Sequence, residues 1–522
     1  MPSQWTVSED ATNSLNNTNN SSAYHYVSLV PFQRVASIDA TLCFIMQTCA
    51  WTLYNAKMQQ TSPRTTSPVD SILDLVGNTP MLKMHTIDTG LCDLFLKLES
   101  QNPGQSIKDR IAITMIDKAE REGDLKKGIR IIEATAGNTG IALALVASQK
   151  GYELTVVVPD KMSEGKIAHL RAMGAQVILA RSDVEKGHPD YYQDVAKKLA
   201  DENGWFFVNQ FSNEANVEAH YATTGPEIWD QMDGNIDAIV IGVGSGGTIS
   251  GVGKYLKDKN PDIEVILADP EGSILAPLVN EGKEVSPGSW LVEGIGEDFV
   301  PSITDLDLVT KGYWITDKES FDTARELLQL EGVLAGSSTG TLVAAAIHWA
   351  KEQSEPKRVV TFACDHGSKY LEKMFNDYWM LDQGFIEREQ HHDLRDLISR
   401  RHETKEDFTL TPTLPVIQAI KNMRLYDISQ MAVIDSQGQV IGILDESDIL
   451  LGVIADADNF RKPVSEFMST KLSTLPSTAS IDQLIPLFSN DMVAIVLDDN
   501  SNFLGLITKI DLINHLRKQL PR

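Results

Sequence analysis

The sequence predicts an α/β fold, a parallel sheet clad by helices on both faces, with a smaller repeated module after it. Three observations carry this reading. From Ser71 to about Gly384, short β-branched runs alternate with helical stretches. Glycines cluster where those runs end and helices begin. Near the C-terminus "MAVIDSQGQVIGILDESDIL" (Met431–Leu450) is echoed by "VAIVLDDNSNFLGLITKIDLI" (Val493–Ile513).

In chain order, residues 1–70 read as a disordered or non-native N-terminal extension. Asp10 to Ser22 is rich in Asn, Ser and Thr, a composition that buries too little apolar surface to fold. Ala40 to Ala56 is moderately apolar but short of the roughly 20 residues of a spanning helix. No basic start with a small-residue cleavage site marks a signal peptide. Met58 is an alternative start, and an unstructured arm is the other reading of what precedes it.

Residues 71–384 form the main domain. The runs "RIIEAT", "ELTVVVPD", "AQVILA", "DAIVIGVG", "EVILADP" and "RVVTFACD" are strands, and Gly140–Ser148 and Thr323–Leu330 are helical. Strands alternating with helices give a parallel sheet covered on both faces. Ligands of such sheets bind where strands end and helices begin. Residues 385–408 are charged and read as a linker. Residues 409–464 and 465–522 are the two repeats. Gly442 matches Gly505 and Asp448 matches Asp511, each 63 residues on. A pair of small β-α units behind an enzyme-like body suggests regulation.

Composition excludes several classes. Lys+Arg 46 against Asp+Glu 72 leaves a net charge of −26, which should repel nucleic acid and anionic membrane. Cys43, Cys49, Cys92 and Cys364 form no CxxC pair, so neither a zinc site nor a disulfide framework is expected, and a reducing cytoplasm fits. The adjacent His391 and His392 lack partners at metal spacing and read as solvated loop residues.

Four polar stretches carry the candidate chemistry. In "QNPGQSIKDR" (Gln101–Arg110), Lys108 follows the Pro103–Gly104 turn and opens a helical run. The positive field of a helix start disfavours its ammonium form and favours a nucleophilic amine. Lys83 and Lys97 are the competitors; Lys97, in "LFLKLES", reads as a strand residue with its head in solvent. In "EATAGNTG" (Glu133–Gly140), Thr135, Asn138 and Thr139 offer side-chain donors beside Gly137, and the following helix start suits a carboxylate. In "GVGSGGTISG" (Gly242–Gly251), Gly244, Ser245, Gly246, Gly247 and Thr248 could wrap a phosphate. Gly242, Gly244 and Gly247 also satisfy G-x-G-x-x-G, weak evidence for a dinucleotide because only Asp269 lies near the ribose-binding spacing. "LAGSSTG" (Leu334–Gly340) adds Ser337, Ser338 and Thr339, with a plain helix cap as the competing reading. A lysine, a phosphate cradle, a carboxylate loop and a hydroxyl are together the inventory for pyridoxal phosphate.

These stretches, with "VEGIGEDF" and "AGSSTGT", resemble the fold-type II pyridoxal-phosphate β-synthases, the cystathionine β-synthase and cysteine synthase family, over about Ser71 to Gly384. The repeat resembles a tandem pair of CBS domains (a Bateman module), which plain cysteine synthases usually lack. The resemblance implies two parallel-sheet subdomains and pyridoxal 5'-phosphate. It makes Lys108 the lysine that bonds the cofactor aldehyde, Asn138 the partner of the ring hydroxyl, Gly244 to Thr248 the phosphate site, and Ser338 the neutral partner of the pyridine nitrogen. Thr135, Gly137, Thr139 and Gln210 would hold the substrate carboxylate; Ala136 stands where the family carries Ser. Glu293 is typical of cystathionine synthases and would meet the amino group of homocysteine; Asp298 follows the same pattern, while Phe211 is cysteine-synthase-like. The Cys-Pro-Trp segment and His of haem-bearing relatives have no match, with Cys43 and Cys49 in an apolar stretch and His85 inside the body, so no haem is expected. In "GLITKID" the resemblance gives Thr508 and Asp511 to an adenosyl ligand, S-adenosylmethionine, AMP or ATP; in "GILDESD" Asp445 stands where that Thr would be. A purely structural dimerisation unit is the other reading of the repeat. The family generally forms homodimers or higher oligomers.

The implied reaction is β-replacement joining L-serine and L-homocysteine into L-cystathionine, with Lys108 as general base. Cysteine as first substrate would release hydrogen sulfide. The alternatives are O-acetylserine sulfhydrylase (cysteine synthase), an adenosyl-nucleotide-sensing protein with an inactive body, and, from G-x-G-x-x-G alone, a nicotinamide oxidoreductase. Lys108→Ala should abolish the visible absorption band of lysine-bound cofactor; a variant that keeps the band overturns the assignment.

Overall fold

The computed structural model describes residues 68–518 except 136, 161, 163, 182, 185, 186 and 491. The Asn/Ser/Thr-rich arm, Cys43, Cys49, Met58 and Ala136 lie outside the described residues.

Ten strands build the main domain: β1 (Met81–Lys83), β2 (Asp93–Lys97), β3 (Ile131–Ala134), β4 (Leu154–Pro159), β5 (Gln176–Ala180), β6 (Phe206–Phe207), β7 (Ala238–Gly242), β8 (Glu264–Pro270), β9 (Lys311–Ile315) and β10 (Arg358–Phe362). They form two sheets. One has the order β1-β2-β10-β7-β8-β9 and the other β5-β4-β3-β6. Every pairing is parallel except β1 with β2. The runs β4 "LTVVVP" and β7 "AIVIG" lack polar alternation because helices cover both faces of the sheets. Strand β9 and the short β1, β2 and β6 carry little or no such run, and the sequence pattern does not reveal them.

The helices that matter for the site are α1 (Lys108–Glu122), α2 (Asn138–Lys150), α3 (Gly225–Gln231), α4 (Gly247–Lys259), α5 (Ser337–Lys351) and α6 (Asp377–Asp382). Four of them, α1, α2, α4 and α5, start in the polar stretches that the sequence singles out, and α2 and α4 do so directly after β3 and β7. The C-terminal ends of β2, β3, β7 and β10 therefore feed one edge of the body, as open α/β sheets require of a ligand site.

One expectation fails here. Lys97 does not reach solvent; it is fully buried. Its Nζ donates to Thr79 O at 2.8 Å, Glu227 Oε2 at 2.7 Å and Gln231 Oε1 at 2.9 Å. Strand alternation shows which face a side chain takes, but not that this face meets α3. Arg110 joins the same cluster, holding Glu99 and Glu227 with two hydrogen bonds each.

The C-terminal repeat is a structural repeat. β11 (Gln430–Ile434) pairs antiparallel with β12 (Val440–Asp445), and β14 (Ala494–Leu497) with β15 (Phe503–Ile507); β13 (Thr474–Pro476) flanks β14. Gly442 lies opposite Val433 and Gly505 opposite Val496, and each hairpin shifts register at the next residue. Leu394, Leu397 and Ile398, from the charged segment, pack with Leu484, Val496 and Ile507 of the second unit. Among the described residues, no helix is long and apolar enough to cross a membrane, and no group of His, Cys, Asp and Glu is placed to hold a metal ion.

Arg110→Met should lower unfolding stability by about 3–5 kcal/mol, because it leaves the fully buried Glu99 without its guanidinium partner and Glu227 with Lys97 alone. Lys118→Met, which loses only the ion pair to half-exposed Glu218, should cost less than about 1 kcal/mol. Denaturant midpoints of the two variants check this contrast.

Candidate active site

Lys108 is the first residue of α1. The turn before it is anchored to the segment after β10: Ile107 N donates to Cys364 O at 2.9 Å, and Ser106 bridges Asp365. Gly104 N donates to the Asp109 carboxylate, and a Cβ at Gly104 would collide with it. Gly104 is thus a steric requirement of the turn. Burial pushes the Lys108 amine down, more than Cys364, Glu297 and Asp365 pull it up. The sequence invokes the helix field for this shift; burial is the larger cause.

One cavity is lined by Lys108, Asn138, Gly244, Ser245, Gly246, Thr248 and Ser338, with Cys364 and Phe362. Of the residues assigned to the cofactor, only Gly247 is not on that lining; it is the first residue of α4. A larger, open depression lined by Arg130, Glu153, Gln176 and Trp205 holds no such set, since Arg130 is already bonded to Glu153 and Gln176.

The Gly244–Thr248 loop is built for a small anion. Gly246 has φ +88°, and no side chain caps the amides at the start of α4. A Cβ at Gly246 would collide with Thr304, and one at Gly247 with Asn216. Asn216 Nδ2 donates to Ser245 Oγ at 2.9 Å and to Gln210 O at 2.9 Å. Free amides at a helix N-terminus, two hydroxyls and a wall without side chains fit a phosphate monoester.

Asn138 opens α2. Its Nδ2 donates to Asp365 Oδ2 at 2.9 Å, and its Oδ1 accepts from Lys369 Nζ at 2.7 Å. Asp365 Oδ2 also accepts from Tyr370 OH at 2.8 Å. The amide is therefore oriented, with one Nδ2 proton still available. Of the "SST" triplet, Ser338 is on the cavity lining. Ser337 Oγ accepts from Glu293 N at 3.0 Å, and Thr339 Oγ1 from Cys364 N at 3.1 Å. Cys364, beside Ser338, is held as a neutral thiol by burial, its pKa pushed up to about 12.

The carboxylate loop closes the other side. Thr135 Oγ1 accepts from Gly137 N at 3.3 Å, and Thr139 Oγ1 donates to Gln210 Oε1 at 2.7 Å. Gln210 is thereby oriented with its amide nitrogen left to donate. Glu293 is no solvated loop acid. It is paired with Lys166, and with Lys373 Nζ at 2.6 Å. Burial pushes its carboxyl up, but the two ammonium groups outweigh this and hold it below the ordinary value. Lys166 Nζ would lie 3.5 Å from a Cβ on Gly137, so the lysine reaches across to the carboxylate loop.

Other predicted residues lie elsewhere. Asp269 is buried and accepts from Ala276 N at 2.8 Å, which uses it as a helix cap and leaves no ribose partner for the G-x-G-x-x-G match. Phe211 packs on Phe299 at 5.8 Å, and Asp298 is exposed. Asp511 Oδ2 accepts from Thr508 N at 2.7 Å, and its other oxygen from Ser399 Oγ. In the first repeat Asp448 N donates to Asp445 Oδ1 at 2.8 Å. Sequence reasoning missed Lys166, Lys369 and Lys373, which no motif marks. It also missed Asp365, whose place as the last residue of the run "RVVTFACD" was a usable signal.

Beneath the carboxylate loop, Glu133, the next-to-last residue of β3, is fully buried. Neither carboxyl oxygen has a hydrogen bond of good geometry. Burial pushes its pKa up to about 8, against the backbone amides of Asn209 and Gln210. The folded chain thus keeps a proton that the unfolded chain releases near 4.5. The wild type should lose stability relative to Glu133→Gln as pH rises from 5 to 8, reaching a few kcal/mol. Thermal midpoints of the two proteins across that range check the sign.

Residues 72–365 match the family described as pyridoxal-phosphate dependent enzyme, and residues 395–454 and 464–518 each match the CBS domain. The chain is 34% identical to the cystathionine beta-synthase of Apis mellifera, over 90% of this chain and 96% of that one. It is 42% identical to the cysteine synthase of Staphylococcus aureus, over 58% of this chain and 96% of that one. Among solved structures it resembles a hydrogen sulfide-producing enzyme of Fusobacterium nucleatum, with TM-score 0.55 and 37% identity over 59% of this chain and 99% of that one. An O-ureido-L-serine synthase gives 0.56 and 33%, over 60% and all of that chain.

Proposed function

Because the chain belongs to the pyridoxal-phosphate-dependent enzymes, in the cystathionine β-synthase and cysteine synthase family, we propose that it condenses L-serine with L-homocysteine to L-cystathionine. The observation that carries this is the convergence on one cavity of Lys108, the Gly244–Thr248 cradle, Asn138 and Ser338. The Glu293 carboxylate held between two lysines supports an amino acid as second substrate.

Pyridoxal phosphate, when bound, supplies the electron sink that lets an amino acid lose its α-proton and then its β-substituent. Gly244 to Thr248 hold its phosphate, Asn138 its ring hydroxyl, and Ser338 its ring nitrogen without protonating it. Thr135, Gly137, Thr139 and the Gln210 amide bind the serine carboxylate. Lys108 Nζ, its ammonium form disfavoured by burial, removes the α-proton. The same nitrogen returns that proton to the departing β-hydroxide, which leaves as water. The homocysteine thiol then gives its proton to Lys108 Nζ as its sulfur bonds to the β-carbon, its amino group directed by Glu293 while Lys166 and Lys373 offer cations to its carboxylate, and Lys108 returns that proton to the α-carbon. Cysteine in place of serine loses hydrogen sulfide at the same step.

The second reading is O-acetylserine sulfhydrylase with sulfide as nucleophile, favoured by Phe211 and by the 42% identity to a cysteine synthase. A nucleotide-sensing protein with an inactive body is the reading of another class. The adenosyl site at Thr508 and Asp511, a homodimeric or larger assembly, the absence of haem and a cytoplasmic setting complete the proposal.

Purified protein given serine plus homocysteine should form cystathionine with a kcat/KM at least tenfold above that for cysteine from O-acetylserine plus sulfide. The reverse ratio supports the sulfhydrylase. No turnover with either pair supports the sensing protein.

A further inference from the structure

His220 belongs to none of the sequence motifs, yet it is fully buried behind the phosphate cradle. It opens a π-turn, His220–Thr224, a wide helical turn of a kind that recurs at functional sites. The turn leads into α3, and together they cross α4 at two glycines. A Cβ at Gly251 would press on His220 Cβ at 2.7 Å and on Tyr221 N at 2.9 Å; one at Gly225 would press on Tyr255 at 2.8 Å. These glycines let the imidazole reach the first turn of α4. There its Nε2 lies 3.1 Å from Thr248 Oγ1, and its Nδ1 lies 2.9 Å from Thr224 Oγ1.

We infer that His220 is a positioning residue for the cofactor phosphate: carrying its proton on Nε2, it donates to the Thr248 hydroxyl and so turns that hydroxyl's own proton toward the phosphate. A threonine hydroxyl has one proton to give. With the imidazole proton on Nδ1, Thr248 would donate into Nε2 and face the phosphate with lone pairs. The Thr224 hydroxyl decides between the two forms. Thr224 is fully buried, and among the described residues its hydroxyl makes one side-chain hydrogen bond, to Nδ1. A buried hydroxyl proton takes an acceptor, so Thr224 donates and Nδ1 accepts. The protons then run one way, from Thr224 through the ring to Thr248. An imidazolium would break this order by donating at both nitrogens. Burial first, then Lys108 and Arg110, hold the ring neutral, with its pKa down to about 3.

The inference rests on Gly244–Thr248 being the phosphate site, and the experiment separates the two. Full-length apoprotein of wild type, H220L, H220Q, T248V and H220L/T248V is titrated with pyridoxal phosphate. Cofactor Kd and the phosphorus-31 resonance of the bound cofactor are read. H220L and T248V should each weaken binding about tenfold, as for a hydrogen bond to a charged group, and shift the resonance in the same direction. The double variant should be no weaker than either single one. H220Q, whose amide N–H falls near the place of Nε2, should recover most of the loss. Loss in T248V with none in H220L overturns the role of His220 alone; unchanged binding in both overturns the phosphate assignment as well. Losses that simply add also overturn the inference. Should H220L fail to fold, H220N, whose amide falls near the place of Nδ1, replaces it, and affinity equal to that of H220Q overturns the inference.

Discussion

The site depends on one buried ionic cluster. Arg110 lies two residues after Lys108 and grips Glu99 and Glu227 with both edges of its guanidinium. Glu99 follows β2, and Glu227 sits on α3, where it also takes Lys97. Asn102 and Thr79 each give a second hydrogen bond to those same two oxygens of Glu99. Two cations and two anions out of water are costly unless every lone pair finds a donor, and here nearly all do. The cluster joins β2, α1 and α3, so the start of α1, and with it the reactive amine, has no freedom to drift. Glu227 shows how strong the coupling is: burial opposes its ionisation, yet Arg110 and Lys97 hold its pKa at about 2.

With the amine fixed, the rest of the site follows from sheet geometry. Parallel strands deliver their C-terminal ends to one edge, and each end here contributes one function. The loop after β3 offers donors to a carboxylate, that after β7 a cradle without side chains, and that after β10 the Asp365 carboxylate that orients Asn138. The same edge gathers Lys166, Lys369 and Lys373 in a protein whose net charge is −26.

Much of this was legible in the sequence because glycine and small polar residues have few structural reasons to cluster after β-branched runs. Lys108, Asn138, Ser338 and the glycine loop are all local signals, and all line one cavity. The repeat was equally readable, since Gly442 and Gly505 occupy the same place in two hairpins. Lys97 was misread because its alternation with Leu96 and Leu98 reveals a strand but not the acid on α3 that meets it, 130 residues later. Lys373 and His220 escaped for the same reason. Each matters only through a partner distant in sequence, and a single His or Lys carries no pattern. Thr508 and Asp511, read for a ligand, are bonded to each other, and Asp511 also accepts from Ser399.

At Gly251, α4 lies directly against backbone atoms of Val217 and Tyr221, and at Gly225, α3 lies against the Cβ and ring root of Tyr255 on α4. Most helix pairs meet through side chains, which can rotate to absorb a change. Here the two cylinders already touch, so an added methyl group has no slack to consume and must lever the helices apart. The first turn of α4 would swing with them and carry its amides out of line. The tolerance of the anion site is therefore set about one turn away from the anion, by two residues that never meet it.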